Sequence, residues 1–422
     1  MTEIIIIGAG VAGLMAAKEL SSKGYKVTIL EADNRIGGRI HTITNQSFTQ
    51  PVEAGAEFIH GKLPCTLKLL KEAGIAYHPV AGAMIRVKNG VWQEQDELIT
   101  GWDELMQRMN AIKEDMTIAA FLDQYFNDEK FESMRRSVKS FAEGYDLADT
   151  SIASLFALRD EWMHEEDEQY RIDGGYIQLV SYLEKQCKEN GCIIHTSSIV
   201  KQIHWQKNKV TITTADNKTY KAIKIIITLP LGILQADATA KASVNFIPSI
   251  DEYLKAIHQV GFGAVIKILL EFKEAFYTKQ RDDIGFVLSN EIIPTWWTQY
   301  SSTYPLLTGW VGGERAITKK DLHEEEILQL ALESLSNIFK IDISTLKNLL
   351  TAWHIAKWQT HEYALGGYSY NTLFSEKARS LLNTALEDTI FFAGEAIYEG
   401  SYPGTVEAAL VSGSNVAGKI MG

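Results

Sequence analysis

Three glycines near the N-terminus have the spacing of a site that binds a dinucleotide. Gly8, Gly10 and Gly13 follow the apolar run Ile4–Ile7 in the pattern GxGxxG. In such a site the first glycine permits a tight turn, the second lets backbone approach a pyrophosphate, and the third lets a helix pack against the sheet. The amides at the start of that helix then face the anion. The segment therefore predicts a strand, a turn and a helix that hold a diphosphate.

An acidic residue and an arginine-glycine run extend this prediction. Glu31 ends the next predicted strand, eighteen positions after Gly13. A carboxylate there accepts hydrogen bonds from ribose hydroxyls and repels a 2′-phosphate, which favours FAD or NAD over NADP. Arg35, Gly38 and Arg39 follow in the run RIGGR, where two guanidinium groups can approach a diphosphate. An ordinary surface loop is the alternative interpretation of this run.

A lysine inside an apolar run is the first candidate for the chemistry itself. Lys267 lies in the segment Val265–Leu269, where a strand would give it apolar neighbours on its own face. Burial disfavours the charged form of an ammonium group unless the group is paired. We therefore expect a functional lysine, with an edge-strand lysine that reaches solvent as the alternative.

An aromatic pair near the C-terminus is the second candidate. Trp358 precedes the run Gly366-Gly367-Tyr368. Paired glycines let backbone lie against a flat ring, and the tyrosine that follows can present its face to a substrate nitrogen.

The last predicted strand and helix form the third candidate. Gly394 and Glu395 end the strand FFAGE, and Thr405 and Val406 open the final helix. The unpaired amides of that helix favour negative charge at its N-terminus.

With these motifs, the chain resembles the flavin-containing amine oxidase family, which includes monoamine oxidases, polyamine oxidases and flavin histone-lysine demethylases. The resemblance rests on the opening segment 4–39, the closing segment 391–420, and the blocks 173–185 and 228–234. It implies an α/β FAD-binding domain of the Rossmann-like, glutathione-reductase type and an α+β substrate domain. It also implies FAD as the cofactor, bound non-covalently because Gly367 stands where some members carry the attaching cysteine.

The resemblance also implies roles for single residues. It makes Lys267 the lysine that holds a water on flavin N5, Trp358 the flavin-packing tryptophan, and Tyr368 one wall of an aromatic cage. The backbone of Val200 would contact the adenine edge, and Glu395 would lie near the ribityl chain and pyrophosphate.

The substrate side of the site is less complete. The second cage wall falls at Ser401, with Tyr402 displaced by one position, so the cage is expected to be wider or to use another tyrosine. Glu57 and His60 match a stretch near the substrate face of the flavin. They could place a second cationic nitrogen, or they could serve ordinary packing.

The domain organisation is expected to be discontinuous. The FAD-binding domain is predicted over 1–74, 172–240 and 352–422, and the substrate domain over 75–171 and 241–351. A chain of 422 residues is too long for one ordinary core.

Helical and strand patterns recur within these ranges. Apolar spacing of three and four predicts helices at 117–126, 133–162 and 321–339, and the 75–171 segment is expected to be mainly helical. Residues 193–227 predict an antiparallel meander with turns at Lys207-Asn208 and Asp216-Asn217.

Composition limits the function classes. A net charge of −12 argues against nucleic-acid binding. Three cysteines without a CxxC spacing, no secretion signal and no apolar stretch of spanning length favour a cytoplasmic protein without a membrane anchor. His60, His354 and His361 lack metal-ligand spacing, so no metal is assigned.

The sequence thus predicts an FAD-dependent amine oxidase that acts on a small-molecule amine, with dioxygen as the electron acceptor. An amino-acid oxidase is the first alternative and would need an arginine for the carboxylate, with Arg86, Arg159 and Arg315 as candidates. A carbon-chain desaturase and a non-catalytic FAD-binding scaffold are the others. The oligomeric state is left open.

Overall fold

The computed structural model describes residues 3–44, 47–88, 90–94, 99–164, 168–400 and 402–422. Its strands are β1 (Glu3–Ile7), β2 (Lys26–Leu30), β3 (Thr42–Ile43), β4 (Val52–Glu53), β5 (Ile59–His60), β6 (Tyr77–Pro79), β7 (Ala83–Lys88), β8 (Val91–Glu94), β9 (Gln169–Ile172), β10 (Ile193–His195), β11 (Val200–Gln206), β12 (Lys209–Thr214), β13 (Thr219–Ala222), β14 (Lys224–Ile227), β15 (Asn245–Ile247), β16 (Gly261–Phe262), β17 (Val265–Phe272), β18 (Ile284–Ser289), β19 (Thr295–Trp297), β20 (Leu306–Gly312), β21 (Leu350–Lys357), β22 (Ser369–Tyr370) and β23 (Ile390–Phe392). The α-helices are α1 (Val11–Ser22), α2 (Pro64–Ala73), α3 (Trp102–Ala111), α4 (Ile118–Tyr125), α5 (Glu132–Gly144), α6 (Leu155–His164), α7 (Ile177–Glu189), α8 (Leu231–Leu234), α9 (Asp251–Ile257), α10 (Gly313–Ile317), α11 (Glu324–Phe339), α12 (Ile343–Leu349), α13 (Ser375–Leu382) and α14 (Val406–Met421).

A five-stranded parallel sheet brings the two ends of the chain together. Its strand order is β10-β2-β1-β14-β23. Ile4 and Ile6 of the central strand face a core shared with α1, α7 and α14. Ile5 and Ile7 face the opposite core, which is shared with the meander. Because both faces are covered, this strand is apolar throughout, and the predicted Rossmann-like order of strand, turn and helix is confirmed.

A smaller mixed sheet covers the other face of the parallel sheet, with β11, β12 and β13 antiparallel and β15 parallel to β11. It has the order β13-β12-β11-β15. Its turns contain Asn208 and Asn217 at φ values of 57° and 61°, which asparagine tolerates better than most residues. The predicted meander is thus confirmed between β11 and β13, whereas β10 and β14 at its two ends belong to the parallel sheet.

A seven-stranded sheet forms the core of the second half of the molecule. Its order is β21-β17-β20-β19-β18-β7-β8. All eight residues of β17 are buried, and α11 packs on the face opposite to the site described below. Strands β6, β7 and β8 show that the 75–171 segment, which the sequence predicts to be mainly helical, begins with strands. Burial alternates along Ala83–Lys88, which is typical of a strand. The chain then turns back at Gly90, whose φ is 78°, so β7 and β8 form a hairpin.

The helical layer over this sheet is interrupted where the sequence predicts one long helix at 133–162. Helix α5 ends at Gly144 and α6 begins at Leu155. The Trp310 indole donates a hydrogen bond to the Gly144 carbonyl at 2.7 Å, and the Tyr368 hydroxyl donates to the Tyr145 carbonyl. Leu147 then adopts a left-handed φ of 56°. Contacts with distant residues therefore replace the helical hydrogen bonds here.

Strands β15 and β21 lie close to the predicted domain boundaries. Leu350–Lys357 pairs within the seven-stranded sheet, and Asn245–Ile247 pairs with the meander. The domain ranges given above remain a prediction. None of the helices in the described part of the chain is long and apolar enough to cross a membrane.

One buried carboxylate joins two helices near the chain end. Glu407 in α14 accepts hydrogen bonds from the backbone amides of Cys65 and Thr66 at 2.8 and 2.7 Å and from the Thr66 hydroxyl at 2.7 Å. It thereby closes the N-terminus of α2, where backbone amides lack helical partners.

Replacing Glu407 with glutamine is expected to lower the free energy of unfolding by about 1–2 kcal/mol, because one charged acceptor of these bonds is lost. Denaturant unfolding measures this. Glu376→Gln on the exposed surface of α13 is the matched control and should change stability much less. Equal effects of the two changes would show that the Glu407 cap contributes little.

Candidate active site

One cavity of about 970 Å³ connects the parallel sheet to the seven-stranded sheet. Gly8, Gly10 and Glu31 line one part of it, and Lys267 and Tyr368 line another. These residues come from opposite ends and the middle of the chain, so the fold brings the predicted nucleotide residues and the predicted chemical residues into one space.

The glycine turn leaves open space at Gly10, where a dinucleotide site holds its pyrophosphate. A Cβ atom on Gly10 would have no protein atom within 4 Å, so its backbone borders the open cavity. A Cβ atom on Gly13 would lie 2.2 Å from the Gly8 carbonyl oxygen. Gly8 itself has φ at +109°, a conformation that side chains disfavour. The cradle fits a pyrophosphate above Gly10 and direct helix-to-strand contact at Gly13.

Glu31 lies where the ribose of such a dinucleotide would be. Its carboxylate accepts hydrogen bonds from the backbone amides of Ala9 at 2.6 Å and Asp33 at 2.8 Å. Burial raises the pKa of Glu31, and the two amide bonds act in the opposite direction. Each carboxylate oxygen has a second lone pair that can accept a bond from a ribose hydroxyl.

The two arginines of the RIGGR run line the cavity but also have protein partners. Arg35 donates to the carbonyl oxygens of Gly38 at 2.8 Å and Ile40 at 3.0 Å. Arg39 donates to Glu395 at 2.7 Å and to the Gly367 carbonyl at 2.7 Å. Their guanidinium groups therefore hold the loops that border the cavity, and direct contact with a diphosphate remains a prediction.

The C-terminal segment closes the same cavity. Glu395 also accepts a hydrogen bond from the Ser369 hydroxyl at 2.6 Å, which fixes the strand end that carries Gly394. Thr405 caps α14 by accepting from the Ala408 amide at 3.1 Å. Thr405 and Val406 line the cavity at this helix N-terminus, as does Val200 from the meander.

Lys267 is buried, with 1% of its surface exposed. Its ammonium group donates to Glu57 Oε2 at 2.8 Å and to the Gly55 carbonyl at 3.0 Å. Glu57 Oε1 accepts from Arg171 Nε at 3.0 Å and from the Trp297 indole at 3.0 Å. The alternative of an edge-strand lysine is wrong, because β17 is an inner strand between β20 and β21.

The same contacts determine the charge of Glu57. Burial alone would raise the pKa of Glu57, but the charges of Lys267 and Arg171 outweigh it and lower that pKa to about 2. The carboxylate is therefore the counter-ion of two protein cations. Contact of Glu57 with a second substrate nitrogen remains a prediction.

His60 lies nearby and is neutral at physiological pH. Burial lowers the pKa of His60 to about 4. Its Nδ1 lies 3.2 Å from the Tyr145 hydroxyl, and both residues line the cavity.

Aromatic side chains form the wall of this part of the cavity. The Trp358 indole donates to the Ala54 carbonyl at 2.9 Å and Tyr368 reaches Tyr145. Tyr402 lines the cavity, and Ser401 lies outside the described residues. Further aromatic residues that the sequence reading missed are Phe58, Phe141, Tyr145, Phe286, Trp297 and Trp310. Trp310 could have been found, because it lies on the predicted strand next to Lys267.

The candidate arginines of the amino-acid oxidase alternative lie at different places. Arg86 and Arg315 line the cavity, whereas Arg159 does not and pairs with Asp160 at 2.7 Å. The register pairs Lys267 with Trp310, Trp310 with Thr295, Thr295 with Leu288, and Leu288 with Arg86. The backbone positions of Lys267 and Arg86 are thus four strand spacings apart, which is about 19 Å.

The cavity lining also bears on whether a metal or a covalent cofactor link is present. The described part of the chain has no cluster of three or more His, Cys, Asp or Glu side chains that could hold a metal ion. Cys65, Cys187 and Cys192 all lie outside the cavity lining. A Cβ atom on Gly367 would lie 2.6 Å from a Leu147 methyl group, so a side chain there needs a local shift. These features fit a non-covalent cofactor.

Comparison with known proteins identifies the family of this chain. The sequence profile of the flavin containing amine oxidoreductases matches residues 11–421. Lysine-specific histone demethylase 2 of Homo sapiens is 26% identical over 99% of this chain and 53% of its own length. Polyamine oxidase 2 of Arabidopsis thaliana is 24% identical over 97% of this chain and 86% of its own. The chain spans about a third to a half of the length of three histone demethylases that it resembles, 30%, 53% and 52%.

Solved structures share the fold. Wild-type putrescine oxidase bound to putrescine superposes with a TM-score of 0.83 at 18% identity, covering 100% of this chain and 99% of that one. Cyclohexylamine oxidase from Brevibacterium oxydans IH-35A gives 0.80 at 19% identity, covering 99% and 98%. The profile match over nearly the whole chain and the dinucleotide cradle agree, and the chain therefore belongs to the flavin-containing amine oxidase family.

Proposed function

We propose that the protein oxidises a small primary or secondary amine, which binds in its neutral form, and that dioxygen is the electron acceptor. When bound, FAD supplies the acceptor for the α-carbon hydride at its N5 atom. The imine then takes up water to give a carbonyl compound and the released amine, and dioxygen leaves as hydrogen peroxide. We also propose that this takes place in the cytoplasm.

One observation carries the proposal. Lys267 comes from β17, Trp358 and Tyr368 come from the segment after β21, and all three line one cavity with the glycine cradle. An amine placed between the aromatic wall and the flavin site would be close to Lys267 and shielded from bulk water.

The part of the cavity next to Lys267 supports binding of a neutral amine. Its wall is aromatic, and the nearby His60 is neutral because burial lowers its pKa to about 4. The Glu57 carboxylate next to Lys267 is already paired with two protein cations, Lys267 and Arg171. A desolvated ammonium ion is disfavoured in such surroundings unless a counter-ion meets it.

Lys267 has one hydrogen-bond donor left for the cavity. An ammonium group has three N–H bonds, and Glu57 and the Gly55 carbonyl accept two of them. We assign the third to a water molecule beside the flavin site. That water could hydrate the imine.

Geometry argues against the amino-acid oxidase alternative. An α-carboxylate lies next to the reacting nitrogen, whereas Arg86 is about 19 Å from Lys267 across the sheet. Arg315 is exposed on α10.

The direct test is anaerobic mixing of the holoenzyme with amines and amino acids while flavin absorption is recorded. Bleaching by amines is the expected result. Bleaching by amino acids alone would replace the proposal with the amino-acid oxidase, and no bleaching with any amine would overturn it.

A pair of glycine variants tests where FAD binds. Gly10→Ala is expected to weaken FAD binding roughly 10- to 100-fold, because the new methyl group occupies the space of the pyrophosphate at a cost of about 1–3 kcal/mol. The apoprotein should keep its stability, since nothing lies within 4 Å of that methyl group.

Gly13→Ala is the contrasting variant. Its methyl group would meet the Gly8 carbonyl oxygen at 2.2 Å, so it should destabilise the apoprotein as well. Isothermal titration with FAD and thermal unfolding of both apoproteins separate the two effects. Unchanged FAD affinity in Gly10→Ala would contradict the predicted position of the pyrophosphate.

A further inference from the structure

Lys267 belongs to a buried set of three charges. Lys267, Glu57 and Arg171 are 1%, 8% and 6% exposed. Glu57 Oε2 lies 2.8 Å from Lys267 Nζ, and Glu57 Oε1 lies 3.0 Å from Arg171 Nε. Two cations share one carboxylate, so the set carries a net positive charge. Isolated charges are costly to bury, and a set of this kind needs a reason beyond packing.

The carboxylate is held on both oxygens. Besides the two cations, the Trp297 indole donates to Glu57 Oε1 at 3.0 Å and the Gln299 amide donates to it at 3.3 Å. Arg171 is fixed in turn, because its Nη2 donates to the Thr298 carbonyl at 3.0 Å. Glu57 therefore has little freedom to move, and the atom that it positions is Lys267 Nζ.

The set joins separate elements at the border of the two sheets. Lys267 comes from β17, Arg171 from β9 and Trp297 from β19, while Glu57 precedes β5. Lys267, Glu57 and Trp297 line the cavity, and Arg171 lies behind them. Of the two cations, Lys267 is thus the one that reaches the cavity, and Arg171 supports the set from the protein side.

We infer that Glu57 is a positioning residue that holds Lys267 as a fixed ammonium ion at the flavin site, and that Arg171 keeps Glu57 ionised. This inference rests on the proposed function for its place in the reaction. Lys267 then acts as a permanent positive charge and hydrogen-bond donor, and not as a base that accepts the proton of the substrate. A fixed cation favours the negative charge that develops where electrons arrive.

Two other titratable groups lie near the set: His60, whose pKa burial lowers to about 4, and Glu53. Burial raises the pKa of Glu53 to about 7, against the hydrogen bond from the Tyr176 amide and the charge of Lys267. The strand neighbours of Lys267 are Trp310 and Ala356, which cannot titrate. A new ionisation in a Glu57 variant must therefore be separated from that of Glu53.

The first experiment uses the unaltered holoenzyme. Lysine labelled with ¹³C at Cε is observed by NMR during a pH titration, and the resonance missing from Lys267→Met assigns Lys267. The expected result is a resonance at the ammonium position through neutral and mildly alkaline pH. A neutral amine at neutral pH would overturn the inference, and this measurement requires no Glu57 variant to fold.

The second experiment removes the counter-ion. In Glu57→Gln, two buried cations lose their carboxylate, so Lys267 is expected to release its proton more readily than in wild type. Its NMR resonance should move to the neutral position, and the visible spectrum of bound FAD should show a pH transition that wild type lacks. The transition should be absent from Glu57→Gln/Lys267→Met, whereas a transition that persists in that double variant belongs to Glu53 and contradicts the inference.

Two matched variants complete the design. Glu57→Asp keeps the charge and should largely restore the wild-type titration. Arg171→Gln removes the other cation but leaves Lys267 paired, so it should add no lysine transition. A purely structural role of Glu57 would predict the same spectra in Glu57→Gln and Arg171→Gln. If no amine bleaches the flavin, the proposed reaction fails while these titrations still report on the ion pair.

Discussion

Replacing Lys267 with methionine is expected to leave FAD bound while slowing reoxidation of the reduced enzyme by dioxygen on the order of 10²-fold. Methionine is of similar length and suits a site that is 1% exposed. Glu57 and Arg171 remain paired at 3.0 Å, so no unpaired charge is buried. What disappears is the positive charge next to the place where dioxygen takes up electrons. Stopped-flow mixing of the reduced enzyme with oxygenated buffer measures the rate.

The chain offers a matched control for this change. Lys224 on β14 also has a largely buried side chain, 13% exposed, and pairs with Asp388 at 2.6 Å, but it does not line the cavity. Lys224→Met should leave the oxidative rate at its wild-type value. A Lys267→Met enzyme that reacts with dioxygen as fast as wild type would remove that charge from the reaction.

Local sequence was enough to predict the nucleotide half of the fold. The Ile4–Ile7 run, the glycine spacing and the acid at Glu31 all act within about thirty residues, and their physical roles depend on backbone geometry. The structure places them as the pattern predicts, with Ile4–Ile7 paired in parallel to β2 and β14.

Contacts between distant residues were not predictable in the same way. Glu57 and Lys267 are 210 positions apart, and nothing in the run EAGAEFIHG indicates that its glutamate meets a lysine of β17. Trp297 and Trp310 enter the cavity wall only through the pairing of β19 with β20. The apolar pattern at 133–162 favours a helix throughout. It does not indicate that Trp310 and Tyr368 donate hydrogen bonds to the carbonyl groups of Gly144 and Tyr145 in the middle of that range.

The largest expected effect on stability is that of Glu57→Gln. Breaking a buried ion pair by removing one partner typically costs about 3–5 kcal/mol, since the remaining charge stays buried without a counter-ion. Here the remaining charges are two, Lys267 and Arg171, both within 3.0 Å of the lost carboxylate. Denaturant unfolding of the holoenzyme at neutral pH measures the loss. Lys267→Met is the control and should lose less, because it leaves one neutral pair.

The pH dependence of this loss of stability distinguishes the contribution of the Glu57 charge from that of side-chain packing. The pKa of Glu57 is about 2 in the folded protein, below its ordinary value, so its stabilisation is complete above pH 4.5 and is lost as the pH falls towards 2. The difference between wild type and Glu57→Gln should therefore narrow in acid. Burial lowers the pKa of His41 and His60 to about 4, so both proteins should also lose stability together between pH 6.5 and 4. A difference that stays constant down to pH 3 would indicate that the glutamine disturbs packing, and that the charge of Glu57 contributes little.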